Sequence, residues 1–233
     1  MKYGVYITFC VLFLQVKQGV CQKPDTLRVL DTNDVPLGPN CYVWLEDNAT
    51  FPDIYFYDTT GKIIRTKDIF KGRPVIFITG SYTCPGFRNN AARIRKETRK
   101  KSQTHDIYFV YLHEAHPVKG SPYGSIMDNY FINVQENIYI ERQTYLYQRI
   151  DYARRLARDY NIVSNVLVDN DRNDFFLQVF SGPNGYLEFD ANKKLRHQRA
   201  WYYNKIQKRQ IKRVLKKAAR KKYREEKAWI KKI

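Results

Sequence analysis

Arg73-Pro-Val-Ile-Phe-Ile-Thr-Gly-Ser-Tyr-Thr-Cys84-Pro-Gly-Phe-Arg88 fixes fold and chemistry together, because a buried-strand pattern ends in a cysteine where a helix should begin. Val75 to Thr79 is a β-branched and aromatic run bounded by Gly72, Pro74 and Gly80, which reads as a buried strand. Pro85 suits the first helical position, where its missing N–H would have no partner anyway. Cys84 is then expected at or next to the helix N-cap, where free backbone N–H groups and the positive dipole end favour a thiolate and lower its pKa. Ser81, Thr83 and Arg88 bring hydroxyl and cationic groups to the same turn. A lone cysteine is more often an inert buried residue. Its position after a strand and before a proline favours the reactive reading.

Elements on either side build a sheet around this strand. Ile54 to Tyr57 and Lys62 to Thr66, joined by Asp58-Thr-Thr-Gly61, read as a hairpin. Phe87 to about Ser102 is a basic helix with Phe87, Ala91 and Ile94 on one side, and Ile107 to Leu112 is the next strand. A long polar loop leads to an amphipathic helix from about Arg142 to Tyr160, whose core stripe is Leu146, Ile150, Ala153 and Leu156. Asn165 to Asp169 is a buried strand, Asp174 to Phe180 a short helix, and Tyr186 to Phe189 with Leu195 to Ala200 a closing hairpin. The order predicts an α/β fold, a central mixed β-sheet flanked by helices. Function in such sheets gathers at strand carboxyl ends, where Cys84 lies.

Two motifs point further. Gly80-Ser-Tyr-Thr-Cys-Pro-Gly-Phe87 and Tyr111-Leu-His-Glu-Ala-His-Pro117 are similar to the iodothyronine deiodinase family of the thioredoxin-like superfamily. There a reactive selenocysteine, or a cysteine in bacterial relatives, stands in Gly-Ser-x-Thr-(Sec/Cys)-Pro-x-Phe, followed by a Tyr-x-x-Glu-Ala-His-Pro strand end. The resemblance covers about Pro52 to Tyr203 and implies a thioredoxin-like fold over residues 53–203. It makes Cys84 the redox nucleophile and has Glu114 and His116 line the substrate site, with Ser81, Thr83 and Arg88 in support. The chain departs from the family in carrying cysteine for selenium, Tyr82 where some members have an auxiliary cysteine, and Gln143 where the family places a second histidine.

Read without the family, a Cys84 thiolate attacks a peroxide oxygen, a disulfide sulfur or a halogen, and an acid such as His116 protonates what leaves. Ser81, three residues before Cys84, resembles the Thr/Ser-x-x-Cys of peroxiredoxins. The attack leaves an oxidised sulfur, so turnover needs a second thiol, either Cys41 or an external reductant. No bound cofactor is expected. Metal readings fail on spacing: His113 and His116 are three apart at a strand end, not four apart on a helix. The Asp169-Asn-Asp-Arg-Asn173 run has Asp174 where a calcium loop needs glycine and Phe180 where it needs glutamate.

Residues 1–21 read as a secretory signal peptide, with a charged start at Lys2, an apolar stretch from about Val5 to Val16 and a small-residue end. That run is short for a span of roughly 20 residues, and a retained N-terminal anchor is the alternative. Location is therefore expected to be secreted or cell-envelope. Residues 22–52 form an irregular extension with one strand proposed at Tyr42 to Leu45. Four cysteines, two of them in or beside the leader, do not make a disulfide scaffold; Cys41 and Cys84 form a bridge, a nucleophile and resolving pair, or two unrelated thiols.

Charge is concentrated at one end. From Lys193 to Ile233 there are 18 Lys and Arg against two Glu, which carries +16 of the total +18. Residues 204–233 are expected to be a helical tail with Ile206, Ile211, Val214, Leu215, Ala218 and Ala219 on one stripe. Its Lys205 to Lys232 cations suit an anionic membrane surface, or serve only to solvate a packed helix; secretion argues against nucleic acid. A homodimer is left open. The rival to an enzyme is a binding module on a retired scaffold.

Overall fold

The computed structural model describes residues 27–30, 43, 45–162 and 164–199. The leader, Cys41 and the basic tail, with the expectations attached to them, lie outside the described residues.

β1 (Tyr55–Asp58), β2 (Ile63–Arg65), β3 (Val75–Gly80), β4 (Asp106–Tyr111), β5 (Asn165–Asp169), β6 (Tyr186–Phe189) and β7 (Leu195–Arg199) form one mixed sheet in the order β2-β1-β5-β4-β3-β6-β7. The three central strands run parallel, and each outer pair is an antiparallel hairpin added at an edge. Alternation along β3 divides the core. Ile76 and Ile78 join a cluster with α2 (Pro85–Lys101) and α4 (Leu146–Asp159) on one face, through Phe87, Ile94, Ile150 and Leu156. Val75 and Phe77 join an aromatic cluster on the other, where α1 (Thr66–Ile69) and α5 (Asp174–Gln178) supply Ile69, Phe175 and Phe176. A strand buried on both faces needs the unbroken apolar run that β3 has.

Two expectations need correcting. α4 begins at Leu146 and not near Arg142, because the backbone before it is taken by the extension: Val29 N donates to Thr144 O at 2.9 Å and Leu146 N to Leu27 O at 3.0 Å. The extension is thus irregular but docked, with Arg28 bridged to Tyr145 and Asn173 Nδ2 donating to Leu30 O at 2.9 Å. Val43 and Leu45 lie in no strand; on that side Thr50 forms an isolated bridge with Lys194. The long polar loop carries a 3-10 turn at Ser125–Met127 and α3 (Phe131–Gln135), neither expected from the sequence. Among the described residues no helix is long and apolar enough to cross a membrane.

Candidate active site

Cys84 is the N-cap of α2 and Pro85 its first residue, as the strand–cysteine–proline order requires. Register does the rest. Gly80 pairs with Tyr111 across the parallel β3 and β4, so the turn after one strand meets the turn after the other. Thr83 Oγ1 locks the two turns, donating to Glu114 Oε2 at 2.6 Å and accepting from His116 N at 2.9 Å. Ser81 Oγ repeats the tie, accepting from Ala115 N at 3.1 Å. The hydroxyl three residues before Cys84 is thus engaged with the neighbouring turn.

Glu114 is buried and receives four donors: Tyr82 N at 3.3 Å, Thr83 N at 2.7 Å, Thr83 Oγ1 and the Tyr111 hydroxyl. Burial nevertheless wins and pushes its pKa up to about 7, against the pull of Thr83, Tyr82 and the Arg88 charge. Two of the donors are hydroxyls that can turn and accept, so the carboxyl can be held with or without its proton.

The thiol departs from expectation. Gly86 and Phe87 N–H groups and Arg88 favour the thiolate, but full burial dominates and raises Cys84 to about 11. The helix amides do not close a capping hydrogen bond on the side chain. His116 also departs. Burial lowers its pKa, and Nδ1 lies 3.2 Å from Met127 O, which can only accept, so Nδ1 carries the proton of a neutral ring. The His116 ring stacks on Tyr130 at 4.6 Å, and Tyr130 meets Phe131 at 4.7 Å.

Arg88 supports the turn by reaching across it. Its guanidinium donates to Tyr82 O at 2.9 Å, Asn133 Oδ1 at 2.8 Å and Glu136 Oε2 at 2.5 Å. Asn133 Nδ2 in turn donates to Thr83 O at 3.0 Å. α3 is therefore fastened to the cysteine turn. No local pattern marks Asn133, which lies in the polar stretch between β4 and α4.

Arg149 was missed despite a signal: it falls beside the core stripe of α4, where a cation is out of place. It is fully buried, donating to Asp169 O at 3.1 Å and Asn170 O at 3.0 Å, with Nη2 3.3 Å from His113 Nδ1. His113 must accept there, and burial beside that cation holds its pKa well below the usual value. Gln143 is buried and donates to Glu141 O at 3.3 Å. A cavity of about 140 Å³ lies beside Tyr82, lined by Ile138, Ile140 and Arg155. One of about 470 Å³ sits at the opposite end of the sheet, by Asp106 and Asn165.

The sequence matches the family model for iodothyronine deiodinase over residues 30–180. The chain belongs to the iodothyronine deiodinase family. Its sheet, with the cysteine turn after β3, is the thioredoxin-like arrangement of that family. No curated protein matches. Similar solved structures include a putative protein disulfide isomerase from Bacteroides thetaiotaomicron, 12% identical, covering 74% of this chain and 89% of that one with a TM-score of 0.46. A putative thiol:disulfide interchange protein DsbE from Chlorobium tepidum is 13% identical, covering 73% and 96% with a TM-score of 0.45. A hypothetical protein from Sinorhizobium meliloti 1021 is 9% identical, covering 67% and 72% with a TM-score of 0.48.

Proposed function

We propose that this deiodinase-family chain is a thiol-dependent oxidoreductase that removes a halogen from an aromatic substrate, with Cys84 as nucleophile. The observation that carries the reading is the Thr83 bridge, which holds the cysteine turn against a buried acid of pKa about 7 and the His116 turn. Attack of Cys84 sulfur on an aryl iodide forms S–I and breaks C–I. The aryl carbon takes a proton, and Glu114 is the group that holds one near neutrality. An external thiol then forms a disulfide with Cys84, releasing iodide, and a second thiol frees the sulfur and leaves as the oxidised reductant. The row of His116, Tyr130 and Phe131 rings, with Phe131 59% exposed, suits an aromatic partner.

The resting thiol is protonated and covered, so substrate entry must accompany loss of its proton. Residues 1–21, read as a secretory leader, would put this chemistry outside the cytoplasm, and the Lys205 to Lys232 tail would hold the protein at an anionic membrane surface.

The test is iodide release from iodinated phenols with excess dithiothreitol. Wild type should release iodide and Cys84→Ser should release none. Release by Cys84→Ser at the wild-type rate would overturn the reading.

A further inference from the structure

The cavity of about 470 Å³ at the end of the sheet opposite Cys84 has the size of a small-molecule site. Strand register builds its floor. β4 begins at Asp106 and β5 at Asn165, parallel and adjacent, with Tyr108 paired to Asn165. The last turn of α2 adds Arg99, and the segment between α1 and β3 adds Lys71. The charges that line this cavity do not balance. Asp106 is the one carboxylate among the lining residues, and Arg73, which does not line the cavity, pairs with it at 2.9 Å. Lys71 and Arg99 have no carboxylate partner among the described residues. A lone surface cation is ordinarily just solvated. Two from separate elements lining one ligand-sized recess are placed to hold an anion. Neutral donors stand with them: the side chains of Ser164 and Asn165 make no hydrogen bond among the described residues. Half-buried Tyr108 adds an aromatic surface.

We propose that this cavity is a binding site for a small organic phosphate, held by Arg99 and Lys71. Two unpaired cations match the nearly double negative charge of a phosphate monoester at neutral pH, where a carboxylate would satisfy only one. The planar guanidinium of Arg99 can meet two phosphate oxygens at once, and Lys71 supplies a point charge. Ser164 and Asn165 donate to the remaining oxygens. A phosphate group alone leaves most of the volume unfilled, and Tyr108 offers the rest of the ligand an apolar face. The site stands at the other end of β4 from Glu114, so it does not rest on the reading of Cys84 as nucleophile.

Phenyl phosphate is the probe, titrated calorimetrically into the full chain in about 0.15 M salt, which screens diffuse attraction to its net charge of +18. Inorganic phosphate and phenol are the comparison ligands. Wild type should bind one phenyl phosphate saturably, more tightly than either comparison ligand. Arg99→Gln and Lys71→Gln should each weaken that binding by about tenfold or more. Both residues are exposed, so both variants should melt with wild type. Lys100→Gln, which removes a neighbouring exposed charge that does not line the cavity, should bind as wild type does. Cys84→Ser should also bind unchanged. The proposal is overturned by absence of saturable binding, by phenol or inorganic phosphate binding as tightly as phenyl phosphate, or by Lys100→Gln weakening binding as much as Arg99→Gln. Loss of binding in Cys84→Ser would likewise overturn a site separate from the cysteine, whereas iodide release by the same wild-type preparation reports on the nucleophile alone.

Discussion

At Cys84 two influences oppose each other, and both are visible in the fold. The N-cap position was legible in the sequence, because proline after a strand-ending cysteine leaves few alternatives, and the structure puts the sulfur at the head of α2. The dipole and the Arg88 charge act as position alone would suggest, but the side chain is 1% exposed and desolvation outweighs them. Burial was not legible, since it depends on a core cluster that includes Ala115 and Tyr186, brought from elsewhere in the chain. A thiol at about 11, against 9.0 for an exposed one, holds about a hundredfold less thiolate at pH 7. Iodoacetamide should therefore modify Cys84 in the folded protein at least about a hundredfold more slowly than a free cysteine at neutral pH, with a rate still rising above pH 10. A midpoint below pH 8 would contradict the burial argument.

The junction of β3, α2 and β4 rests on a residue without a side chain. A Cβ on Gly80 would meet Phe109 Cζ and Phe87 Cδ2 at 2.7 Å each, both rings being buried in the core between the sheet and α2. Gly80→Ala must push one ring aside, and overpacking of this kind costs about 1–3 kcal/mol. Urea unfolding should show that loss, with the cysteine turn displaced enough to slow any Cys84 chemistry; a variant as stable as wild type would mean that the rings have room to move. The tight approach could be suspected from a glycine ending an otherwise bulky strand. Periodicity and turn residues likewise revealed the two hairpins, the three central strands and the stripe of α4. They failed where a distant segment intervened. The start of α4 is set by Leu27 and Val29, more than a hundred residues earlier in the chain, and α3 by the reach of Arg88 to Asn133 and Glu136. Local pattern carries no trace of such long-range partners.

Across the whole molecule, buried titratable groups pull stability in opposite directions with pH. Glu114, raised from 4.5 to about 7, and Asp169, raised from 3.8 to about 6, keep protons in the folded state that the unfolded chain releases. Their contribution is fully present below pH 4 and is lost as pH rises through the folded values. His113 and His116, both lowered, act with the opposite sign: the unfolded chain takes up protons below about 6.5 that the folded chain refuses. The two sets offset each other between pH 4 and 6.5, so the stability profile of wild type alone would hide both. A difference measurement separates them. Glu114→Gln keeps an acceptor for Thr83 and an NH₂ for the Tyr111 hydroxyl, yet cannot ionise. Relative to wild type it should gain stability steadily from pH 4.5 to 7.5, by about 3 kcal/mol at most, while the histidine contribution cancels. Chemical denaturation at several pH values gives the difference directly. A flat difference would place the folded Glu114 near its ordinary pKa, held ionised by its four donors, and would remove it as the proton carrier beside Cys84.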